Sequence, residues 1–495
     1  MALDDRLVLE SRLELVEPAQ DDRWLSKQVA SAVRRGLRED ERRGDMLVFL
    51  PGAGEIRQTA DELAEIGETI DVVPLHGDLT VAEQDRAVGR STRRKVILAT
   101  NVAETSVTID GVTWVVDSGL ARVARHSPWS GLPSLQIEPI SQSSATQRAG
   151  RAGRTQPGTC VRLYSKPDFD GRRAFDPPEI RRSDLTGLLL DLSCAGTSVD
   201  AITWFEPPPA IAVEAARTLL RQLGALDADG ASTRLAPRLQ RLPIHPRLAR
   251  VVLAAHDVGL GDDGCMAAAV LSQRELRLER RGRAGHAKVA SESDVVDDVD
   301  LMLDARDRRW RPDDYRRAGV DVQTARMVER TADQLMRMLE RHGSGKAHPA
   351  GRDAEAQDAA LRRAILAGFP DRVGRRRSAN SAEFLFAGGG SGMLSPASAV
   401  IHGKLIVAVD VAEVGERGKA GKVSIRRASA IELDWLVDDH FDQISEVDQL
   451  QWNPERERVE RSQQLLYSGL VVDDERDDLG ARAQPERAAE LLAAA

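Results

Sequence analysis

Aromatic residues make up only 4% of the 495 residues. A binding surface built mainly on stacked rings is therefore not expected. Cysteine is scarcer still, with Cys160, Cys194 and Cys265 far apart and no Cys-x-x-Cys pair among them. That excludes a disulfide framework and a zinc ribbon, and it suits a reducing cytoplasm. Long hydrophobic runs are missing too. Runs such as Leu188–Leu190 fall far short of a membrane span, so no membrane partner is expected. The first residues are charged throughout, with no apolar core of a secretory signal. Nor is there an excess of positive charge: the formal net charge is -9. A simple polybasic binder is thereby disfavoured, although an acidic protein can still gather its arginines on one face.

What is present is the composition of a globular protein, 42% hydrophobic and 30% charged. At about 150 residues per domain, three or four domains are expected. Short apolar runs at Met46–Leu50, Asp71–Leu75, Lys95–Ala99 and Thr113–Val116 alternate with helical periodicity, for example over Glu55–Ile66. This pattern predicts a parallel sheet covered on both faces, with chemistry at the carboxyl ends of its strands. Residues 120–140 read as an inserted hairpin, and a helix is expected from about Ser144. The prolines at 207–209 mark a boundary. Helix, helix and hairpin then suit a winged-helix module, and residues 248–339 are mostly helical. Residues 384–436 alternate like a small β domain. The expected division is a leader segment over 1–42, left from an inter-domain region, and a sheet domain over 43–204. A winged helix over 205–262, a helical domain over 263–345 and a linker over 346–358 follow. A small β region over 359–472 and a charged, alanine-rich tail over 473–495 complete it.

The sharpest signal is Gln147-Arg148-Ala149-Gly150-Arg151-Ala152-Gly153-Arg154. Arginines recurring every third residue are expected along one side of a helix or its first turns. The intervening glycines let a ligand or a neighbouring domain come close. Several guanidinium forks aimed one way suit a polyphosphate. The plainer alternative is a solvated basic helix.

This string resembles motif VI of the superfamily 2 helicases. The run Ala99–Val112, with Val115-Val116-Asp117-Ser118-Gly119 after it, resembles motif V of their DEAH-box branch. Val48–Gly52 with Glu55-Ile56 resembles motif IV, and Pro74–Leu79 the element that follows it. Leu242–Ala249 and Phe369–Val373 look like the bacterial HrpB-type members. The resemblance implies a RecA-like parallel sheet domain, the second of a two-domain motor, followed by winged-helix, helical-bundle and small OB-like β domains. It implies that Arg151 and Arg154 act as arginine fingers and that Gln147 orients the phosphate or the attacking water. Thr108, Asp110, Gly150 and Arg148 would lie at ATP. Gly52, Thr100, Asn101, Thr105 and Ser106 would meet a nucleic-acid backbone. His76 is as readily a satisfied loop residue as a functional one. The hairpin matches the place of a strand-separating element.

The phosphate loop and the Asp-Glu-x-His box of such motors do not occur in these 495 residues. Gly418–Val423 has the wrong glycine spacing. Asp474-Glu475-Arg476-Asp477 follows motif VI instead of preceding motif V and reads as a solvated charge run. The resemblance therefore implies ATP with Mg²⁺, the metal being held by a first RecA-like domain supplied upstream or in trans. It implies single-stranded RNA or DNA as partner, no metal site in this chain, and negligible ATP hydrolysis by the isolated chain. A non-catalytic nucleic-acid-binding or regulatory protein derived from a helicase is the alternative.

Overall fold

A computed structural model describes residues 12–15, 22–41, 43–77, 79–105, 108–126, 133–152, 154, 157–273, 276–277, 290–342, 353–414, 422–453 and 458–477. The chain divides into two compact units, 1–125 with 133–183, and 126–132 with 184–495.

The first unit is built on β1 (Arg12–Leu15), α1 (Asp22–Glu39), β2 (Asp45–Phe49), α2 (Ala53–Glu62) and β3 (Asp71–Leu75). It continues through α3 (Val81–Val88), β4 (Lys95–Ala99), α4 (Val102–Thr105) and β5 (Val112–Asp117). The ribbon β6 (Leu120–His126) and β7 (Pro133–Pro139) follows, then α5 (Gln142–Ala149), β8 (Thr159–Arg162) and α6 (Lys166–Asp170). Six strands form one sheet in the order β1-β8-β5-β2-β4-β3, with every pairing parallel. This is the RecA-like sheet expected from the apolar runs. Strands buried on both faces need no polar alternation, and β4 and β5 are buried at every position.

One face of the sheet packs Met46, Val48, Trp114 and Val116 against Leu25, Val29 and Val33 of α1. The other packs Leu47, Phe49, Ile97 and Val115 against Ala149 and Ala152. The segment expected as a leader is thus part of the domain. α1 repeats its apolar residues at helical spacing and covers one sheet face, and β1 extends the sheet beyond β8. β3 is the opposite edge. Asp71 and Leu75 bond toward β4, so Val72 and Pro74 turn their backbones outward.

β6 and β7 form the expected two-stranded ribbon, whose turn at 127–132 lies outside the described residues. α5 begins at Gln142, two residues earlier than expected, because the Ser141 hydroxyl accepts from the Ser144 amide.

In the second unit α7 (Thr186–Cys194), α8 (Ala210–Gln222) and α9 (Ala236–Gln240) accompany a small hairpin closed by the Leu226–Ser232 bridge. These elements suit the expected winged-helix module, but the main stretch of the unit begins at Asp184, inside the 43–204 span expected for the sheet domain. A helical layer of α10 (Pro246–Asp257), α11 (Gly261–Ser272), α12 (Asp294–Asp307), α13 (Pro312–Arg317), α14 (Val322–His342) and α15 (Ala354–Gly368) comes next. α15 starts inside the expected linker, because Leu361, Ile365 and Leu366 bury against the helical core. β9 (Val373–Arg376), β10 (Glu383–Phe386), β11 (Ser391–Leu394), β12 (Leu405–Val414) and β13 (Lys422–Ala430) close a five-stranded barrel. This is the small OB-like domain.

α16 (Leu433–Asp439) leads to an antiparallel sheet of β14 (Ile444–Asn453), β15 (Arg458–Tyr467) and β16 (Leu470–Asp477). Asp474–Asp477 therefore belong to a paired strand and not to a tail. Asp474 accepts from the Ser462 hydroxyl at 2.8 Å. Gly418 and the residues around it lie outside the described residues.

Candidate nucleotide and nucleic-acid site

The carboxyl ends of β2, β4 and β5 carry the three loops in which the motifs sit, and β2 lies between the other two strands. After β4, Thr100 and Asn101 lead into the one-turn helix α4, which holds Glu104 and Thr105. Asn101, Thr105, Thr108 and Asp110 are exposed, whereas Ile109 between the last two is buried in the core. Alternation thus anchors the loop and turns its polar side chains outward. Ser106 and Gly153 lie outside the described residues. His76 is half-buried in the loop after β3.

After β5 the chain turns at Gly119, where φ is +71° and an added Cβ would sit 2.4 Å from the Tyr164 ring. Only glycine fits that turn. The turn leaves Asp117 fully buried, with Oδ1 accepting from the Gly119 amide and Oδ2 from the Tyr164 hydroxyl, each at 2.9 Å.

The three arginines do not share one side of a helix. α5 stops at Ala149, and residues 150–152 form a turn. Arg148 points inward. It is 0% exposed, with Nη1 on Asp117 Oδ1 at 2.9 Å and Nε on Glu104 Oε2 at 3.0 Å. Its guanidinium carbon also lies 4.7 Å from the centre of the Phe49 ring. Burial opposes its charge, yet Asp117 and Glu104 together hold its pKa above the ordinary arginine value. A side chain so enclosed has no face for ATP, which corrects the expectation for Arg148. It fastens α4 and the end of β5 to α5 instead.

Arg151 is also largely buried, and its Nη2 donates to the backbone carbonyl of Glu104. Burial, and then the nearby Arg154 charge, lower its pKa. Arg154 is exposed and donates from Nη1 to the Thr108 hydroxyl at 3.0 Å. Gln147 and Gly150 are exposed beside them. A Cβ on Gly150 would meet only carbonyls of its own turn, at 3.4 Å or more, so its outer side is open. Glu104 therefore receives Arg148 through its carboxylate and Arg151 through its carbonyl. Sequence reading quoted Glu104 within motif V but gave it no role.

At the end of β2, Gly52 opens α2 in an extended conformation. Glu55 lies beneath it, 7% exposed, and binds Arg122 of β6. Among the described residues no cluster of acids, histidines and cysteines is arranged to hold a metal.

Comparison with known proteins agrees with this geometry. A model of the helicase conserved C-terminal domain matches residues 28–156. Over 449 residues the chain is 31% identical to the ATP-dependent RNA helicase HrpB of Escherichia coli (strain K12), covering 90% of this chain and 49% of that protein. It is 39% identical over 244 residues to the ATP-dependent RNA helicase HrpA of the same organism, covering 48% of this chain and 19% of that one. A crystal structure of the Escherichia coli DEAH/RHA helicase HrpB superposes with a TM-score of 0.72 at 27% identity, over 97% of this chain and 54% of that one. The chain resembles the DEAH-box helicases. It corresponds to their C-terminal portion and spans 49% of HrpB. In this chain the loops that resemble motifs V and VI meet through three arginine contacts among the described residues, Arg148 and Arg151 with Glu104 and Arg154 with Thr108.

Proposed function

We propose that this chain is the C-terminal motor half of an ATP-dependent RNA helicase, active when a first RecA-like domain completes the nucleotide cleft. The observation that carries the reading is the Arg154–Thr108 contact at 3.0 Å, an exposed guanidinium held at the loop end of the sheet. It presents charge where the strand ends of an α/β sheet place ligands.

The exposed residues fit a polyphosphate. Arg154 offers unshielded donors, Gly150 leaves room, and Thr108 and Asp110 supply a hydroxyl and a carboxylate on the same rim. ATP with Mg²⁺ supplies the transferable phosphoryl group. The metal belongs to the first domain in this reading. Arg154 stabilises charge on the phosphoryl oxygens. Arg151, braced on Glu104, lends a second positive charge from behind, and Gln147 orients at the rim. Arg148 touches neither substrate nor nucleotide and is a positioning residue. Gly52, Thr100, Asn101, Thr105 and Ser106 form the nucleic-acid side. Hydroxyls, amides and a bare backbone suit phosphate contacts, which hold a strand without reading its sequence. In this reading the β6–β7 ribbon takes the strand-separating role.

The test is RNA-stimulated ATP hydrolysis by the chain, alone and mixed with the first RecA-like domain of a DEAH-box helicase. The expectation is negligible turnover alone and stimulated turnover in the mixture. Arg154→Ala lowers the stimulated rate by about 10³–10⁵-fold, the range for an arginine finger. Turnover that is unchanged in Arg154→Ala refutes the assignment. Nucleic-acid binding with no turnover in the mixture favours the non-catalytic alternative.

A further inference from the structure

We infer that the outer edge of β14 is a docking site for an extended basic segment of another protein, which joins the sheet of β14, β15 and β16 as a fourth strand. The inference lies beyond the nucleotide reading and does not depend on it. β14 pairs with β15 at all 10 positions from Ile444 to Asn453, with no slip in register. It is an end strand of its sheet. A regular edge of that length is a ready template for another chain. The other end strand is less suited. The pairing of β15 with β16 slips at Leu465–Leu466, and Asp473 of β16 is tied to Lys404 at 3.2 Å.

The direction of the backbone is set where the strand begins. The Gln443 carbonyl accepts from the Ser468 amide at 2.9 Å and so faces β15. A trans peptide points the next N–H opposite to that carbonyl, so Ile444 turns its N–H outward. Alternation along the strand turns the backbone groups of Glu446, Asp448 and Leu450 outward as well. Among the described residues no backbone hydrogen bond reaches them. The edge also has a firm mount. Ile444 packs on the helical core, in which Tyr467 donates its hydroxyl to the Pro370 carbonyl at 2.9 Å.

Charge names the occupant. Native sheets commonly guard an open edge with lysine or proline, and β14 has neither. Its only charged residues are Glu446 and Asp448, at alternate positions and hence on one face. Asp448 accepts from Arg461 Nε at 2.9 Å, while Glu446 is exposed. Farther across the sheet, β16 carries Asp473, Asp474, Glu475 and Asp477 against Arg476 alone. Such a surface repels a nucleic-acid backbone. A second copy of β14 would set acid beside acid. A strand with lysine or arginine at alternate positions instead meets both acids on the face they share, and it gives the outward N–H and C=O groups their partners.

The experiment measures, by fluorescence anisotropy, binding of a fluorescein-labelled peptide of alternating lysine and threonine to the full chain. A peptide of alternating glutamate and threonine is the control. The first binds and the control does not. Glu446→Pro removes one outward N–H without touching the ladder to β15, and it weakens binding by about tenfold. Glu446→Gln drops only the charge and weakens binding by about threefold. The lysine–threonine peptide N-methylated throughout its backbone keeps its charges and loses its donors, and it also binds about tenfold more weakly, whatever the fold of the variants. Equal binding of the methylated and plain peptides means ionic attraction alone and overturns the inference. Failure of the wild-type chain to bind the plain peptide at low salt overturns it too. So does self-association of the wild-type chain in sedimentation that Glu446→Pro abolishes, which assigns the edge to a second copy.

Discussion

Replacing Arg148 with alanine tests whether this arginine of the QRAGRAGR string holds the fold together instead of serving the ligand. The substitution leaves Asp117, 0% exposed, with donors from Gly119 and Tyr164 but without its bonded cation. It also releases Glu104 from its tie to α5. Breaking a buried pair by removing one partner costs about 3–5 kcal/mol. At tenfold per 1.4 kcal/mol, that is roughly two to three and a half orders of magnitude in an opening equilibrium. Hydrogen-exchange mass spectrometry on peptides spanning β2 and β5 reads this change within the first unit, without needing the whole chain to unfold in one step. Acceleration by less than tenfold would refute the argument. The double variant Arg148→Met with Asp117→Asn removes both charges and keeps the bulk. It should recover most of the protection, because buried pairs replaced together are often close to neutral.

Arg154→Ala should leave the stability to thermal unfolding nearly unchanged, within about 0.5 kcal/mol of free energy, since the side chain is exposed; a large drop would show a structural role instead. Gly119→Ala should destabilise by more than 2 kcal/mol, roughly, because positive φ and the Tyr164 contact act together. Gly111→Ala, at φ +83° with open space around it, should cost only about 1 kcal/mol, and equal losses at the two sites would contradict the steric part of the argument. His440 is lowered in pKa chiefly by burial, with Arg250 and Arg363 adding and Asp439 and Asp442 opposing, and its Nε2 lacks a partner. The unfolded chain then takes up the proton first as pH falls below about 6.5, so stability is lost on acidification through that window. His440→Phe should flatten the melting temperature between about pH 7 and 5; an unchanged slope would remove His440 as its source.

The sheet was legible because its strands are buried on both faces. Met46–Leu50 and Lys95–Ala99 stand out as unbroken apolar runs, and only a covered parallel sheet accepts them. The loops at the strand ends followed from that alone. The directions of the arginines did not. Spacing of three places side chains on one helical face only while the helix lasts, and α5 ends at Ala149. Whether a guanidinium turns in or out then depends on where acids from elsewhere lie. Asp117 is 31 residues from Arg148, and Glu104 is 44. The Glu55–Arg122 pair, 67 residues apart, was hidden for the same reason. β16 was missed because Asp and Glu are poor strand formers, and pairing with β15 overrides that preference.

Pro74 gives the outer rim of the sheet a consequence for the life of the chain. The backbone positions that β3 turns outward are Val72 and Pro74, and a prolyl nitrogen has no hydrogen to give. An intruding extended peptide would find one donor where regular pairing needs two, so it cannot zip along the rim. Two copies of the sheet are thereby hindered from joining rim to rim at this edge.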